Sequence, residues 1–283
     1  LHLLSRRQRQ MCIRDRYVWG WEEDGSVRHN YIYSVSLDDY KRKKAAFLYD
    51  GTNSGSNYFI VHRGYIYYVK NGGTDLKEQT AYLYRVKIGD TSQKREEEPI
   101  YEFSGIGASV WNVTASGNNI IVNNSAYGDT EGNDYKNSYT IIDIHSLKSR
   151  ELVENGNYSV FADGNYVYYG KNENTVYRID LATNEEIFFC DIDGPCYISA
   201  DSNYVYFDNL KSIYAGTDAD NRKIFVYDKS GKYITYIVPQ SPKDECYFGG
   251  DDYMFFKDMG SNSKVYSFDK SLLTSTDRQF IDM

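Results

Sequence analysis

Three long polar segments of this 283-residue chain, Asn71–Thr80, Ser125–Asn137 and Asn209–Arg222, carry acidic side chains, and the last two also carry tyrosines. Carboxylates accept hydrogen bonds from hydroxyl and amine groups, and tyrosine offers a flat apolar ring with a hydroxyl at its tip. This combination suits a sugar, a cationic peptide or a divalent ion; the alternative is that the segments are surface insertions without a ligand. The candidate ligand-binding residues are Asp75, Tyr127, Asp129, Glu131, Asp134, Tyr135, Tyr214, Asp218 and Asp220.

Two of these segments place oxygen ligands at alternating positions, Asp129–Asp134 and Asp218–Asn221, as calcium loops do. Neither fits the spacing of an EF-hand, and the related run Asp191–Gly194 is shorter still. Cys190, Cys196 and Cys246 lack the CxxC spacing of zinc sites. We therefore predict no metal site and no cofactor.

The sequence contains no recognisable catalytic motif. His29, His62 and His145 lie far apart along the chain with no nucleophile motif nearby, so we assign no catalytic residue. Carboxylates from different parts of a fold can still meet, as in glycosidases, and sequence spacing does not reveal such pairs. Cys190, Cys196 and Cys246 are expected to be buried free thiols, with a disulfide between Cys190 and Cys196 as the alternative.

A motif of two short strands recurs along the chain, and its strands are expected to hold these polar segments in position. Its clearest copy is Gly164–Tyr169 followed by Thr175–Asp180. The first strand of the motif starts at Tyr65, Asn119, Tyr166, Tyr204 and Tyr253, with spacings of 54, 47, 38 and 49 residues. A repeat of this length that is built only of short strands predicts an all-β fold, a β-propeller.

We read about six four-stranded blades in the repeat, the first of them incomplete. The first unit contains Tyr17–Trp21, Asn30–Leu37 and Ala45–Tyr49, whereas the fourth contains Tyr158–Ala162, Tyr166–Gly170, Thr175–Leu181 and Glu186–Cys190. The three long polar segments connect second to third strands, so they are expected to share one face of the disc, where repeat proteins usually bind. Asp180, Asp228 and Asp269 follow third strands, where a short carboxylate is expected to accept N–H groups of the turn.

The tandem units resemble bacterial propellers of the low-density-lipoprotein-receptor-related type, many of which belong to domain-of-unknown-function families. The resemblance is carried by Tyr65–Tyr68 with Leu83–Val86, and by Tyr166–Tyr169 with Tyr177–Asp180. It covers most of the range from Tyr17 to Met283, implies the propeller fold and an extracytoplasmic location, and brings no catalytic residues with it.

Residues 1–16, LHLLSRRQRQMCIRDR, differ in composition from the rest and resemble a translated sequencing adapter. We therefore expect an artefactual segment at 1–16 and a single propeller domain at 17–283 that is truncated at its N-terminus. The formal charge of the whole chain is −8, and without that segment 27 basic and 39 acidic residues leave −12. An acidic chain without a basic stripe argues against nucleic-acid binding, and the lack of a long apolar run argues against direct membrane insertion.

These observations favour a non-catalytic, extracytoplasmic binding or scaffold propeller that recognises a protein or carbohydrate ligand through the face bearing the long turns. One alternative is a glycan-acting enzyme with acids supplied by several blades, which a cluster of three or more carboxylates in one pocket would favour. Another is a sensor domain of a larger membrane protein. Fold alone does not separate these alternatives, because propellers host unrelated functions.

Overall fold

The computed structural model describes residues 15–36, 39–51, 58–72, 80–93, 98–103, 105–127, 135–154, 160–172, 174–192, 194, 196–209, 222–240, 244–248, 252–257, 265–274 and 280–282. These residues form antiparallel β-sheets and one short 3₁₀ turn at Lys270–Leu272. The chain packs as two compact units, Leu1–Glu154 and Asn155–Met283. The prediction of one continuous domain from residue 17 onward, and that of an artefactual segment before it, stay predictions.

The first unit contains three sheets. The first sheet consists of β1 (Asp15–Asp24), β2 (Val27–Ser36) and β3 (Arg42–Asp50). The second consists of β4 (Phe59–His62), β5 (Tyr65–Gly72), β6 (Thr80–Lys87) and β7 (Tyr101–Phe103). The third consists of β8 (Ile106–Ser116), β9 (Asn119–Tyr127), β10 (Tyr135–Asp143) and β11 (Ser149–Glu154).

The second unit contains three four-stranded sheets. The first of these consists of β12 (Val160–Asp163), β13 (Tyr166–Asn172), β14 (Thr175–Asp180) and β15 (Glu186–Asp191). The next consists of β16 (Cys196–Ala200), β17 (Tyr204–Asn209), β18 (Ile224–Asp228) and β19 (Tyr233–Ile237). The last consists of β20 (Glu245–Phe248), β21 (Tyr253–Lys257), β22 (Val265–Asp269) and β23 (Phe280–Asp282).

The sheets agree with the predicted units in number and strand order. The first sheet has three strands in the described part of the chain, whereas each of the other five has four, as expected for an incomplete first unit. Its strand β1 begins at Asp15, two residues before the predicted boundary, and pairs in register from Asp15 opposite Ser36 onward.

Second strands of the repeat are buried on both faces, which explains their continuous apolar sequence. In β13 the side chains of Val167, Tyr168 and Tyr169 point alternately to the two faces of the sheet and are all fully buried. β17 repeats the pattern with Val205, Tyr206 and Phe207, also fully buried. Apolar side chains are needed at successive positions because the core extends over both faces of the sheet.

Turns between third and fourth strands are closed by aspartate carboxylates, as predicted. Asp180 Oδ1 accepts the Ala182 N–H at 2.8 Å, and Asp228 Oδ1 accepts the Ser230 N–H at 2.8 Å. Asp269 Oδ1 accepts the Ser271 N–H at 2.9 Å. Hydrogen bonds to the hydroxyls and N–H groups of the turn lower the pKa of Asp228 and of Asp269, because they stabilise the charged carboxylate.

Neighbouring sheets of the second unit are also tied by ion pairs that run from the third-to-fourth turn of one sheet to the preceding sheet. Lys229 Nζ lies 2.5 Å from Asp163 Oδ2, and Lys270 Nζ lies 2.5 Å from Asp201 Oδ2. The Lys270–Asp201 pair is almost fully buried, and Asp201 Oδ2 also accepts the hydroxyl of Tyr206 at 2.5 Å. These buried charges are tolerated because each is paired and hydrogen-bonded.

Among the described residues, no helix is long and apolar enough to cross a lipid bilayer.

Candidate functional site

Two of the predicted binding residues, Tyr127 and Tyr135, meet at the base of a long second-to-third turn. They are the last residue of β9 and the first of β10, and they face each other in the antiparallel register. Their ring centroids are 5.2 Å apart and the rings are tilted by 58°. Tyr135 is 40% exposed and Tyr127 is half-buried, so the pair presents aromatic surface to solvent beside the turn.

A cavity of about 240 Å³ opens next to this pair, between the outer strand of the second sheet and the third sheet. Its lining combines aromatic, hydroxyl, amide and charged side chains from β7, β9, β10 and β11. The lining residues are Tyr101, Phe103, Gly105, Asn124, Ala126, Tyr127, Lys136, Ser138, Thr140 and Glu151.

The floor of the cavity is a polar row on one face of the β9–β10 hairpin. Lys136 is paired with Ala126, and Ser138 with Asn124, so alternation along the strands directs these side chains to the same face. Thr140 Oγ1 donates a hydrogen bond to Asn124 Oδ1 at 2.9 Å. This bond uses the amide oxygen of Asn124, and the amide NH₂ is the hydrogen-bond donor of that side chain.

One wall of the cavity is aromatic and stands close to the floor. Tyr101 and Phe103 pack edge to face, with ring centroids 4.9 Å apart. Gly105 follows them with a φ of +115°, and a Cβ placed there would lie 2.5 Å from the Cβ of Ala126. Glycine is therefore required on two grounds, because its backbone angle disfavours other residues and because the chain passes so close to β9.

The charged groups of the lining are balanced. Lys136 supplies one cation and Glu151 one anion, and Glu151 is the single carboxylate among the lining residues. In the described part of the chain, no group of three or more histidine, cysteine or acidic side chains is arranged to hold a metal ion. The cavity therefore offers hydrogen-bond donors, acceptors and aromatic contact area.

The other predicted binding residues cannot be placed on this site. Asp75, Asp129, Glu131, Asp134, Tyr214, Asp218 and Asp220 lie outside the described residues. Their assignment to a ligand stays a prediction, as does the metal-free character of the segments that carry them.

Sequence reasoning missed the lining residues beyond Tyr127, and it also missed a second polar cluster. Asp208 and Arg222 flank the 210–221 segment and form a bidentate ion pair, with Arg222 Nε 2.9 Å from Asp208 Oδ1 and Nη2 2.7 Å from Oδ2. Side-chain exposure is 2% for Arg222 and 0% for Asp208. Burial opposes the charge on Arg222, but hydrogen bonds to Asp208 outweigh that effect and raise its pKa. The one available signal was the presence of opposite charges at the two ends of the segment.

This cluster continues into the last sheet. Arg222 Nη1 donates to the carbonyl oxygen of Asp244, and the hydroxyl of Tyr266 donates to Asp244 Oδ2. The Gln240 N–H donates to the Tyr266 hydroxyl oxygen at 2.8 Å. Burial and the bond to Asp244 raise the pKa of Tyr266 above its ordinary value. The base of this turn is a sealed polar network rather than an open surface.

The remaining candidate groups occupy structural positions. Cys190, Cys196 and Cys246 are buried free thiols, which confirms that prediction. Burial raises the pKa of Cys190 to about 12, so its sulfur is a protonated thiol and a poor nucleophile at neutral pH. His62 Nε2 bonds with the Gly117 carbonyl oxygen at 2.8 Å, and His29 Nδ1 lies 2.5 Å from Asp50 Oδ1.

No protein-family model and no curated protein sequence matches this chain. Among solved structures, the chain is similar to an oligogalacturonate lyase in complex with manganese, with a TM-score of 0.58 and 10% identity over 93% of this chain and 83% of the lyase. It is similar to BamB from Moraxella catarrhalis, with a TM-score of 0.50 and 11% identity over 94% of this chain and 73% of BamB.

A third similar structure is prolyl oligopeptidase B from Galerina marginata, with a TM-score of 0.57 and 14% identity. The match covers 94% of this chain but 42% of the peptidase. At such identities, similarity reports the fold and not the activity. Together with the repeated four-stranded antiparallel sheets, these likenesses show that this chain has the β-propeller fold.

Proposed function

We propose that this chain is a non-catalytic binding propeller that recognises a protein or carbohydrate ligand through the face bearing its long second-to-third turns. The observation that carries the proposal is the partly exposed Tyr127–Tyr135 pair at the base of one such turn, beside a cavity with a polar floor. Loops held by a rigid strand scaffold are the usual location of recognition.

The tyrosine pair has the physical properties of a recognition surface. Tyrosine has few rotatable bonds and a large ring, so ordering it against a ligand costs little entropy for the area that it buries. Its hydroxyl stays able to donate or accept a hydrogen bond while its ring packs. The β-hairpin register holds Tyr127 and Tyr135 opposite each other, so the two rings are already positioned before a ligand binds.

The composition of the cavity supports binding rather than hydrolysis of a glycan. Glycoside hydrolysis ordinarily uses two carboxyl groups placed about 5–9.5 Å apart across the scissile bond. Among its described lining residues the cavity carries one carboxylate, that of Glu151. An acidic partner would have to come from another part of the chain for the enzymatic alternative to apply here.

We place this function outside the cytoplasm. The support is the resemblance of the tyrosine-rich repeats, such as Tyr65–Tyr68 and Tyr166–Tyr169, to extracytoplasmic bacterial propellers. A ligand on that side of the membrane would be a surface carbohydrate or an exported protein.

The test compares the wild-type chain with the double variant Tyr127→Ala/Tyr135→Ala on an array of glycans and short peptides. We expect the wild type to retain at least one ligand class, and the double variant to lose it without a change in melting temperature. Tyr253→Ala is the matched control, because Tyr253 is equally exposed at 40% but lies in the second unit.

Two results would overturn the proposal. Equal retention by the double variant would show that this face is not the binding surface. Recovery of the bound glycan or peptide in a cleaved form would favour the enzymatic alternative.

A further inference from the structure

We propose that the cavity between β7 and the β9–β10 hairpin binds one pyranose ring of a neutral saccharide, with a face of the ring against Tyr101 and its hydroxyls on the polar floor. This inference rests on the proposed function and narrows the class of ligand to a neutral carbohydrate. It follows from the size, chemistry and charge of the cavity.

The size of the cavity limits its occupant. Sites for drug-sized ligands usually measure about 300–1,000 Å³. At about 240 Å³ this cavity is smaller, and Gly105 brings its wall close to Ala126 on β9. It therefore fits one ring of a saccharide, whereas a folded peptide segment would lie across its mouth.

The chemistry of the lining matches the two-sided character of a sugar ring. A pyranose has C–H groups on its faces, which pack on aromatic rings, and hydroxyl groups around its edge. Tyr101 and Phe103 supply the aromatic wall, and Asn124, Ser138 and Thr140 supply the polar floor. Thr140 Oγ1 is already hydrogen-bonded to Asn124, whereas an aliphatic peptide side chain would cover the Ser138 hydroxyl and the Asn124 NH₂ without giving them hydrogen bonds. Leaving such groups unsatisfied costs about 1–3 kcal/mol each.

The charges of the lining favour a neutral ring over an acidic one. Lys136 and Glu151 contribute opposite charges, and the whole chain has a formal charge of −8. A uronate carboxylate would meet Glu151 as well as Lys136, in the field of an acidic protein. Both charged side chains are able to hydrogen-bond the hydroxyls of a neutral sugar.

The position of the cavity gives the saccharide chain a direction. Tyr127 lines the cavity and also packs against Tyr135, which is exposed beside the 128–134 segment. A second sugar linked to the first would therefore lie over the tyrosine pair. Affinity is expected to rise from mono- to trisaccharide and to depend on both tyrosines.

The experiment is isothermal titration of the full chain with cellotriose, maltotriose and tri-N-acetylchitotriose as neutral probes and trigalacturonate as the anionic probe. We expect at least one neutral trisaccharide to bind, and Tyr101→Ala to weaken it about tenfold, because an aromatic contact and its buried area are lost together. Thr140→Val, which keeps the shape but removes the hydroxyl that holds Asn124, is expected to weaken binding as well.

Tyr82→Ala is the matched control within the same unit. Tyr82 pairs with Glu102, so it lies on the face of the second sheet opposite to Tyr101 and Phe103. Binding by this variant is expected to equal that of the wild type, and a comparable loss would show that the effect of Tyr101→Ala reflects damage to the sheet and would overturn the assignment.

The outcomes also separate this inference from the proposed function. The inference fails if no neutral trisaccharide binds, if trigalacturonate binds more tightly than every neutral probe, or if Tyr101→Ala binds as the wild type does. If the wild-type chain binds a peptide on the array and the Tyr127→Ala/Tyr135→Ala variant does not, the proposed function stands without this inference. If neither saccharide nor peptide is retained, both fail.

Discussion

The bases of two long turns, both predicted from sequence as binding segments, are built in opposite ways. At the base of the 128–134 segment stand Tyr127 and Tyr135, partly exposed and beside a cavity. At the base of the 210–221 segment stand Asp208 and Arg222, paired and almost fully buried. The comparison shows that long turns at equivalent positions of the repeat can differ in the accessibility of their bases.

The physical reason lies in what each pair requires. An ion pair removed from water is stable only when its remaining hydrogen-bonding groups are satisfied, and the Asp208–Arg222 pair recruits Asp244 for this purpose. A tyrosine pair carries no such requirement, so it remains stable with one ring in solvent. The Asp208–Arg222 base is therefore suited to hold a turn in place, and the Tyr127–Tyr135 base is suited to contact a ligand.

The largest expected effect is on the buried pair. Arg222→Met leaves the Asp208 carboxylate buried without its guanidinium, and we expect a loss of about 3–5 kcal/mol in the free energy of unfolding, measured in denaturant. The double variant Arg222→Met/Asp208→Leu removes both charges and is expected to recover most of that loss. A loss for Arg222→Met no larger than that of a surface tyrosine would contradict the comparison.

A smaller loss is expected for the neighbouring hydroxyl. Tyr266→Phe removes the donor to Asp244 Oδ2, and hydrogen bonds to charged groups contribute about 1.5–3 kcal/mol. Denaturant unfolding measures this change. A neutral result would mean that the hydroxyl does not contribute to sealing the base of the turn.

The same residue predicts a pH dependence. The pKa of Tyr266 is raised in the folded protein, so its contribution to stability is complete below the pKa of an unfolded tyrosine, about 10, and is lost as the pH rises above it. Above about pH 10, the free energy of unfolding should therefore fall less steeply with pH for Tyr266→Phe than for the wild type. An equal pH dependence of the free energy of unfolding in the two proteins would show that the raised pKa of Tyr266 does not contribute to stability.

The smallest effect on stability is expected at the open base. Tyr135→Ala should change the free energy of unfolding by less than about 1 kcal/mol, since Tyr135 is 40% exposed and its main described contact is one ring. Ligand retention on the array is nevertheless expected to fall. A large loss in the free energy of unfolding would show that Tyr135, like Arg222, has a structural role.

The fold could be predicted from sequence because its signal is local and repeated. The motif Tyr166–Tyr169 followed by Thr175–Asp180 contains the strand, the turn and the closing carboxylate, and the structure shows each of them there. The three-stranded first sheet could also be predicted, because the sequence of the first unit contains three recognisable strand segments where the later units contain four.

The cavity could be predicted only in part. Tyr127 and Tyr135 were identifiable because they flank a long turn, but Tyr101 and Glu151 were not, since they come from strands that are distant along the chain. Gly105 was not identifiable either, because its role depends on the distance to Ala126 and not on its neighbours in sequence.

The sequence by itself determined the repeat, the strands and the aspartate-closed turns, because alternation and turn chemistry act over a few residues. Tertiary structure alone decided which turn base is open and which is sealed. Burial and pairing depend on side chains from other strands, such as Asp244 beside Arg222 and Tyr101 beside Asn124. Only the packing of neighbouring sheets brings these side chains together.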